Sequence, residues 1–141
     1  MRNLLLILSV VIPGFVISCE KDVTKLYTTD LVGEWQVEDI EWYQVVDGES
    51  VEVEPEGMTT VQLNPKHKLL ITQDKIAYVI NGIRFYHSQY ALINGVIYAN
   101  NLSDYYILEY SKSGMTLKLQ DHPTSSEYYI LRYRRLSSKV Y

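Results

Sequence analysis

The residue that could do the most distinctive chemistry in this chain occurs once, as Cys19. A single cysteine cannot form an intramolecular disulfide or the thiolate cluster of a metal site, so its thiol needs another explanation. An apolar run at residues 4–12 precedes Cys19. Arg2 lies before this run, and Pro13 and Gly14 end it. A membrane-spanning helix needs about 20 apolar residues, and this run is too short. The pattern predicts an export signal that ends near Cys19.

The four residues Val16-Ile17-Ser18-Cys19 resemble the lipobox of bacterial lipoproteins. The resemblance implies that diacylglycerol is transferred to the Cys19 sulfur, that the chain is cleaved after Ser18, and that the new amino terminus is acylated. Two or three acyl chains form a firm anchor, whereas a single chain binds only marginally. The alternative is an ordinary secretory signal cleaved nearby, which would leave Cys19 as a free thiol. We expect residues 1–18 to be a lipoprotein signal peptide.

The segment that begins with the lipidated cysteine, residues 19–30, is polar and shows no apolar period, so we expect a flexible tether. Within it, Glu20-Lys21-Asp22 resembles the charged export signal of Bacteroidota surface lipoproteins. The alternative is a solvated spacer that faces the periplasm. We therefore expect an outer-membrane lipoprotein of the cell envelope, exposed either at the surface or to the periplasm.

No other residues form a recognisable catalytic or metal-binding pattern. His67, His87 and His122 lie in separate segments without His-x-His or His-Glu-x-x-His spacing, and no nucleophile motif surrounds any serine. We expect no enzyme and no metal or cofactor site. The formal net charge of −4 also argues against a nucleic-acid partner, which requires clustered Lys and Arg.

Asn-Gly turns divide the middle of the chain into short strands. Asn81-Gly82 separates Lys75–Ile80 from Ile83–Ile93, and Asn94-Gly95 separates that strand from residues 96–100. Asn-Gly between strand-like flanks is typical of a type I′ turn, because both central residues of that turn need a positive φ. The sequence therefore predicts two consecutive tight hairpins.

A third hairpin is expected to join residues 105–110 to residues 115–120 through a four-residue loop. Such a loop fixes the register of the two strands and places their Tyr, Leu and Met side chains on one face. The pairs that it predicts are Tyr110 with Met115, Leu108 with Leu117, and Tyr106 with Leu119.

The earlier part of the chain is less regular. Trp35 and Val37 share one phase of the first strand while Ile40 and Trp42 share the other, so we expect a bulge at Glu38-Asp39. Residues 47–57 hold five acidic side chains and no basic one, and we interpret them as a solvated loop or ragged edge before a strand at residues 58–63. A calcium site is the alternative, although the order of ligands that a calcium loop needs is missing.

These strands together predict an all-β domain at residues 31–141, an up-and-down antiparallel β-barrel of about eight strands. Gly33-x-Trp35 at the start of the first strand resembles the lipocalins and their short bacterial relatives, the lipocalin-like lipoproteins. The resemblance implies that Gly33 and Trp35 lie at the closed end of the barrel, where an arginine from the last strand packs across the Trp35 ring. Arg132, Arg134 and Arg135 are the candidates, and we take Arg134 as the partner.

The barrel interior is the candidate binding site. An eight-stranded barrel is only just wide enough to be filled by side chains or to hold one small ligand. We expect a small, partly apolar ligand in the barrel mouth, although the same rings could simply form the core. A binding or scaffold module for an envelope protein or a glycan is the alternative, with an outward patch of Tyr86, Tyr105 and Tyr128. The residues expected to face the ligand are Phe85, His87, Tyr106, Tyr110, Tyr129 and Tyr133.

Overall fold

The computed structural model describes residues 21–53, 61–100, 102–120 and 126–140. Short 3-10 helices at Val23–Lys25 and Val61–Leu63 and a single helical turn, α1 (Thr28–Leu31), accompany nine strands. The strands are β1 (Gly33–Val46), β2 (Glu49–Val53), β3 (Lys68–Ile71), β4 (Lys75–Ile80), β5 (Ile83–Ile93), β6 (Val96–Ala99), β7 (Asp104–Tyr110), β8 (Gly114–Gln120) and β9 (Glu127–Ser137).

The strands form a closed, eight-stranded, antiparallel β-barrel, which confirms the predicted fold class. β1 and β3 to β9 pair in order, and β9 returns to pair with β1 along ten residue pairs. β2 is a ninth strand that pairs with the second half of β1. We call the end where β1 begins the closed end, and the end where β1 finishes and β9 begins the upper end.

Three tight turns have the positive φ values that a type I′ hairpin requires. φ is 52° at Asn81 and 77° at Gly82, and the values at Asn94 and Gly95 are 51° and 78°. Both predicted Asn-Gly hairpins are therefore confirmed. Asp47-Gly48 forms a third such turn, with φ values of 52° and 81°.

Two predictions for the acidic region need correction. The sequence predicts a loop from residue 47, but the Asp47-Gly48 turn instead connects β1 to β2. The predicted strand at residues 58–63 is a 3-10 helix where the structure describes it, at Val61–Leu63. Residues 54–60 lie outside the described residues. The side chains of β2 are largely exposed, so the expectation of a ragged edge holds for this strand.

β-Bulges decide which side chains face the interior. The expected bulge in β1 is confirmed, because the pairing with β9 shifts between Val37 and Asp39. A second shift, between Ile107 and Glu109, changes the predicted register of the β7–β8 hairpin. Tyr110 pairs with Met115 as expected, but Ile107 rather than Leu108 lies opposite Leu117. The extra residue places Leu108 on the outside.

The interior is packed with large side chains. Eight-stranded barrels can be filled in this way, because their diameter is only a few side chains across. His67 is the one wholly buried titratable imidazole among the described residues, and it lies among aromatic rings. The largest fully buried apolar or aromatic side chains are Trp35, Tyr78, Tyr105, Leu31, Leu69, Ile71, Ile76, Ile97, Leu117 and Leu131.

The segment before β1 covers the closed end. The backbone N–H of Lys21 donates to the Tyr110 carbonyl, and Leu26 and Leu31 are buried in the core. The Trp35 indole donates to the Leu31 carbonyl at 3.0 Å. The prediction of a flexible tether is therefore wrong for residues 21–30, whereas Cys19, Glu20 and the predicted signal peptide lie outside the described residues. None of the helices that the structure describes is long and apolar enough to cross a membrane.

Arg135, not Arg134, is the arginine that packs on Trp35. The guanidinium carbon of Arg135 lies 4.2 Å from the Trp35 ring centroid, and its N–H groups donate to the carbonyls of Asp30 and Lys112. Residues alternate along β9, so Arg134 points outward and its Nε lies 3.6 Å from Glu38. The prediction of Arg134 as the partner of Trp35 is therefore wrong by one residue.

Gly33 begins β1 at a point where β9 leaves no room for a side chain. Its φ is +153°, and an added Cβ would lie 2.3 Å from the Ser137 carbonyl oxygen. No other residue type can fit there unless the backbone at the end of β9 moves.

We predict that Arg135→Met destabilises the protein by about 3 kcal/mol, because it removes a buried cation–π contact and leaves backbone carbonyls without donors. Arg134→Met is the matched control, and loss of its exposed ion pair should cost less than about 1 kcal/mol. Urea unfolding of the two variants measures the difference. Equal losses would contradict the assignment of Arg135 to the closure.

Candidate functional site

The structure separates the six residues that the sequence assigns to a ligand. Phe85 and Tyr129 are half-buried and pack against the core near the upper end. Tyr110 and Tyr133 are buried inside the core itself. His87 and Tyr106 are not part of the interior.

A bulge explains why His87 leaves the predicted face. Between Phe85 and Ser88 the pairing with β4 shifts by one residue, and Tyr86 has a φ of 55°. Strict alternation would place His87 beside Phe85, but the extra residue brings Ser88 inside instead, where it is buried. In β7, Tyr105 is buried in the core, so its neighbour Tyr106 faces outward. The prediction that His87 and Tyr106 line the interior is therefore wrong.

Tyr110 and Tyr133 have partners that make them structural. The Tyr110 hydroxyl donates to the Asp30 carbonyl at 2.6 Å, which ties β7 to the segment before β1. The Tyr133 hydroxyl lies 2.7 Å from His67 Nε2. Burial raises the pKa of Tyr133 well above its usual range, so its hydroxyl stays protonated as a donor.

Two aromatic pairs lie toward the upper end, Trp42 with Tyr129 and Tyr78 with Phe85, and we call these four residues the upper cluster. Trp42 pairs with Tyr129 across β1 and β9, and their rings stack with centroids 6.1 Å apart at 21°. Tyr78 pairs with Phe85 across β4 and β5. The β1 bulge puts Trp42 in the same inward phase as Ile40, which packs against the core.

Two hydrogen-bond donors of the upper cluster have no acceptor. The Tyr78 hydroxyl belongs to a side chain with no exposed surface, and the Trp42 Nε1 atom is also buried. Within the described part of the chain neither atom has a hydrogen-bond partner. A buried polar group without a partner costs roughly 1–3 kcal/mol, so these two donors work against the stability of the barrel.

His67 supplies a neutral wall beside this cluster. Its ring lies edge-on to Tyr78 and to Tyr133, with centroids 5.1 and 5.5 Å away. His67 Nδ1 donates to the Asn64 carbonyl at 2.7 Å, so Nε2 must accept from the Tyr133 hydroxyl. Burial lowers the pKa of His67 to about 4, and the bond to Asn64 only partly opposes this. The ring is therefore uncharged at neutral pH.

Apart from Arg135, which packs on Trp35 at the closed end, no charged side chain is buried in the described interior. Its buried polar residues are His67, Ser88 and Gln120. Among the residues that the structure describes, no three His, Cys, Asp or Glu side chains come together as a metal site would require. Arg132, on the outer wall, is already paired with Asp39 at 3.0 Å and with Glu41. The site can therefore offer neutral donors and aromatic faces to a ligand.

The outer surface carries a separate aromatic pair. Tyr43 and Tyr128 stack with ring centroids 5.2 Å apart, and the Lys118 ammonium lies 4.6 Å from the Tyr128 ring. The patch that the sequence predicts is partly wrong, because Tyr105 is buried inside the barrel. Tyr86 is 52% exposed and remains at the surface.

Comparison of the chain with protein-family models, with curated proteins and with solved structures found no match. The resemblance to lipocalin-like lipoproteins therefore remains a prediction from the sequence motifs. What the site does has to be argued from its own geometry.

We predict that the free energy of unfolding falls as the pH drops from about 6.5 to about 4, because His67 is neutral when folded and takes up a proton when unfolded. The unfolded histidine titrates near pH 6.5, so the loss should reach about 3 kcal/mol at the lower limit. Chemical unfolding at several pH values measures it.

His67→Gln should remove most of this pH dependence, whereas His87→Gln, at an exposed position, should leave it unchanged. A wild-type protein with constant stability across this range would contradict a buried, neutral His67.

Proposed function

We propose that this protein is a lipid-anchored binding protein of the bacterial cell envelope, which holds a small, uncharged, partly apolar ligand at the upper cluster. The observation that carries the proposal is the pair of buried donors without acceptors, on Tyr78 and Trp42. Unsatisfied donors are rare in protein interiors, and a ligand that supplies acceptors is one explanation for keeping them.

The chemistry of the upper cluster supports a ligand with two features. The stacked rings of Trp42 and Tyr129 offer a flat apolar surface, which favours a planar or conjugated ligand. The free donors favour a carbonyl or ether oxygen on that ligand. Such a combination of apolar walls with a few polar groups is typical of small-molecule sites.

Apart from Arg135 at the closed end, the described interior is uncharged, which argues against an anionic ligand. A carboxylate that left water would need a cation or several donors to compensate for its lost hydration. The nearest titratable ring is His67, which burial keeps neutral. A neutral carbonyl compound therefore fits better than a fatty acid.

The anchor rests on the lipobox-like sequence that ends at Cys19. Acylation there would hold the barrel at a membrane.

The stacked Tyr43 and Tyr128 favour a second function, which is binding of an envelope protein or a glycan at the outer wall. An exposed aromatic pair beside Lys118 suits the face of a sugar ring or a protein surface. The interior and the outer wall could serve different partners.

We predict that the purified chain without its first 19 residues binds 2-acetylnaphthalene more tightly than 2-naphthoate or 2-ethylnaphthalene. Every described contact of the barrel lies within residues 21–140, so this shortened chain keeps the core and its closure. The ketone provides an acceptor without a charge, and loss of one neutral hydrogen bond should weaken binding by about tenfold. Equilibrium dialysis measures all three.

Tyr78→Phe should lower the affinity for the ketone to that of the ethyl compound. Tyr90→Phe is the control, because the Tyr90 hydroxyl already donates to the Thr72 carbonyl at 2.6 Å near the closed end. If none of the three compounds binds, the interior site is refuted. A stoichiometric envelope protein or glycan whose capture depends on Tyr43 would then support the second function.

The anchor makes a separate prediction. Cells that express the full chain should incorporate radiolabelled palmitate into it, and Cys19→Ala should abolish the label, because the thioether and the new amino terminus both depend on that residue. Ser18→Gly, which keeps a small residue before the cysteine, is the control that should retain the label. Labelling of Cys19→Ala would rule out the anchor.

A further inference from the structure

We propose that the closed end of the barrel rests on phospholipid head groups and that the upper cluster points away from the membrane. The inference rests on the proposed anchor at Cys19 and adds the orientation and the contact surface. We call this surface the closed-end face, formed by exposed side chains of Lys25, Tyr27, Ile93, Lys112, Leu136 and Lys139.

The length of the chain fixes the position of the anchor. Lys21 is held at the closed end, because its backbone donates to the Tyr110 carbonyl at 3.2 Å and its ammonium pairs with Asp30 at 2.9 Å. Cys19 is only two residues earlier, and two residues span at most about 7 Å. Acyl chains on Cys19 would therefore bring the closed end, and not the upper end, against the bilayer.

Apolar side chains are exposed around this end. Tyr27 is 72% exposed, Ile93 55% and Leu136 40%. Tyr27 comes just before α1, Ile93 ends β5 at the Asn94-Gly95 turn, and Leu136 is the second-last residue of β9. A tyrosine and aliphatic side chains of this kind suit the boundary between head groups and acyl chains.

Long cationic side chains surround these apolar groups. Lys25, Lys112 and Lys139 are exposed, and their ammonium groups can reach head-group phosphates while their methylene stems cover apolar surface. Asp22 and Asp74 share this end, so the face is weakly rather than strongly basic. The opposite end is acidic, with Asp47, Glu49 and Glu52 exposed on the β1–β2 hairpin.

This distribution favours one orientation. An acidic hairpin is repelled by the negative surface potential of a membrane, whereas lysines are attracted to it. The closed end would dock and the acidic hairpin would project into the aqueous compartment. The upper cluster would then exchange ligand with water and not directly with the bilayer.

The β5 strand provides a matched pair of probes for the test. Ile93 lies at its closed end and Ile83, 60% exposed, lies at its upper end. In the mature lipoprotein, Cys19 is used by the lipid, so an added cysteine is the only labelling site. Ile93→Cys and Ile83→Cys variants of the acylated protein are labelled with an NBD fluorophore. Each is then placed in vesicles of phosphatidylcholine and phosphatidylglycerol that contain a doxyl-labelled lipid as quencher.

The proposal predicts that NBD at position 93 loses most of its fluorescence to the doxyl quencher and that NBD at position 83 loses none. Lys25→Glu with Lys112→Glu should restore fluorescence at position 93, because each lysine near an anionic surface contributes about fivefold to binding. Lys66→Glu with Arg84→Glu reverses two exposed charges away from the closed end, so it is the matched control and should not restore the fluorescence.

Equal quenching at the two positions, or stronger quenching at position 83, would overturn the orientation. An absence of quenching at both positions on an acylated protein would refute the contact with the membrane while leaving the anchor intact. A protein that carries no lipid and washes off the vesicles would instead refute the anchor on which the inference rests. Circular dichroism of each variant verifies that the barrel is folded.

Discussion

The packing of Arg135 on Trp35 is the contact on which the rest of the barrel depends. It joins three parts of the chain that are far apart in sequence: the segment before β1, β1 itself and β9. A barrel has no free edge only if its first and last strands meet, and Gly33 permits this meeting because no Cβ stands in the way. The same contact holds the segment before β1 against the closed end of the barrel, because Arg135 also donates to the Asp30 carbonyl.

The two ends of the barrel have different physical character. At the closed end the hydroxyl of Tyr110, the indole N–H of Trp35 and the hydroxyl of Tyr90 all donate to backbone carbonyls. Arg135 Nε is the buried donor there that has no acceptor within the described part of the chain. At the upper end, the donors of Tyr78 and Trp42 have no partner among the described residues. Proteins commonly concentrate such unfavourable features where they bind something. The two neutral donors of Tyr78 and Trp42 are the physical basis for proposing a ligand at the upper end.

The sequence was sufficient for the fold but not for the site. Two Asn-Gly turns and the phase change at Glu38 predicted the hairpins and the bulge correctly, because each depends on local backbone chemistry. Asp47-Gly48 carries the same turn signal and was missed among the acidic residues around it. Strict alternation from Tyr133 would also have selected Arg135 over Arg134, so that error was avoidable.

The errors at the site have a different origin. A bulge at Tyr86 shifts the residues after it to the other face, which places His87 outside. A second bulge, at Leu108, breaks the alternation counted back from Tyr110, so Tyr105 faces the interior and Tyr106 does not. No turn residue or charge marks these bulges in the sequence. His67 and Tyr78 were missed because a lone histidine and one tyrosine among 13 carry no spacing signal. The contact of His67 with Tyr133 of β9 depends on the closed barrel.

The most direct measurement is native mass spectrometry of the protein purified from cells that make it, followed by organic extraction. The account predicts an additional mass on the order of a few hundred daltons, released on denaturation, from an uncharged compound with a carbonyl or ether oxygen. Tyr78→Phe should reduce the occupied fraction, whereas Tyr90→Phe should not. The absence of such a compound from both the wild-type protein and the Tyr78→Phe variant would contradict a ligand in the interior.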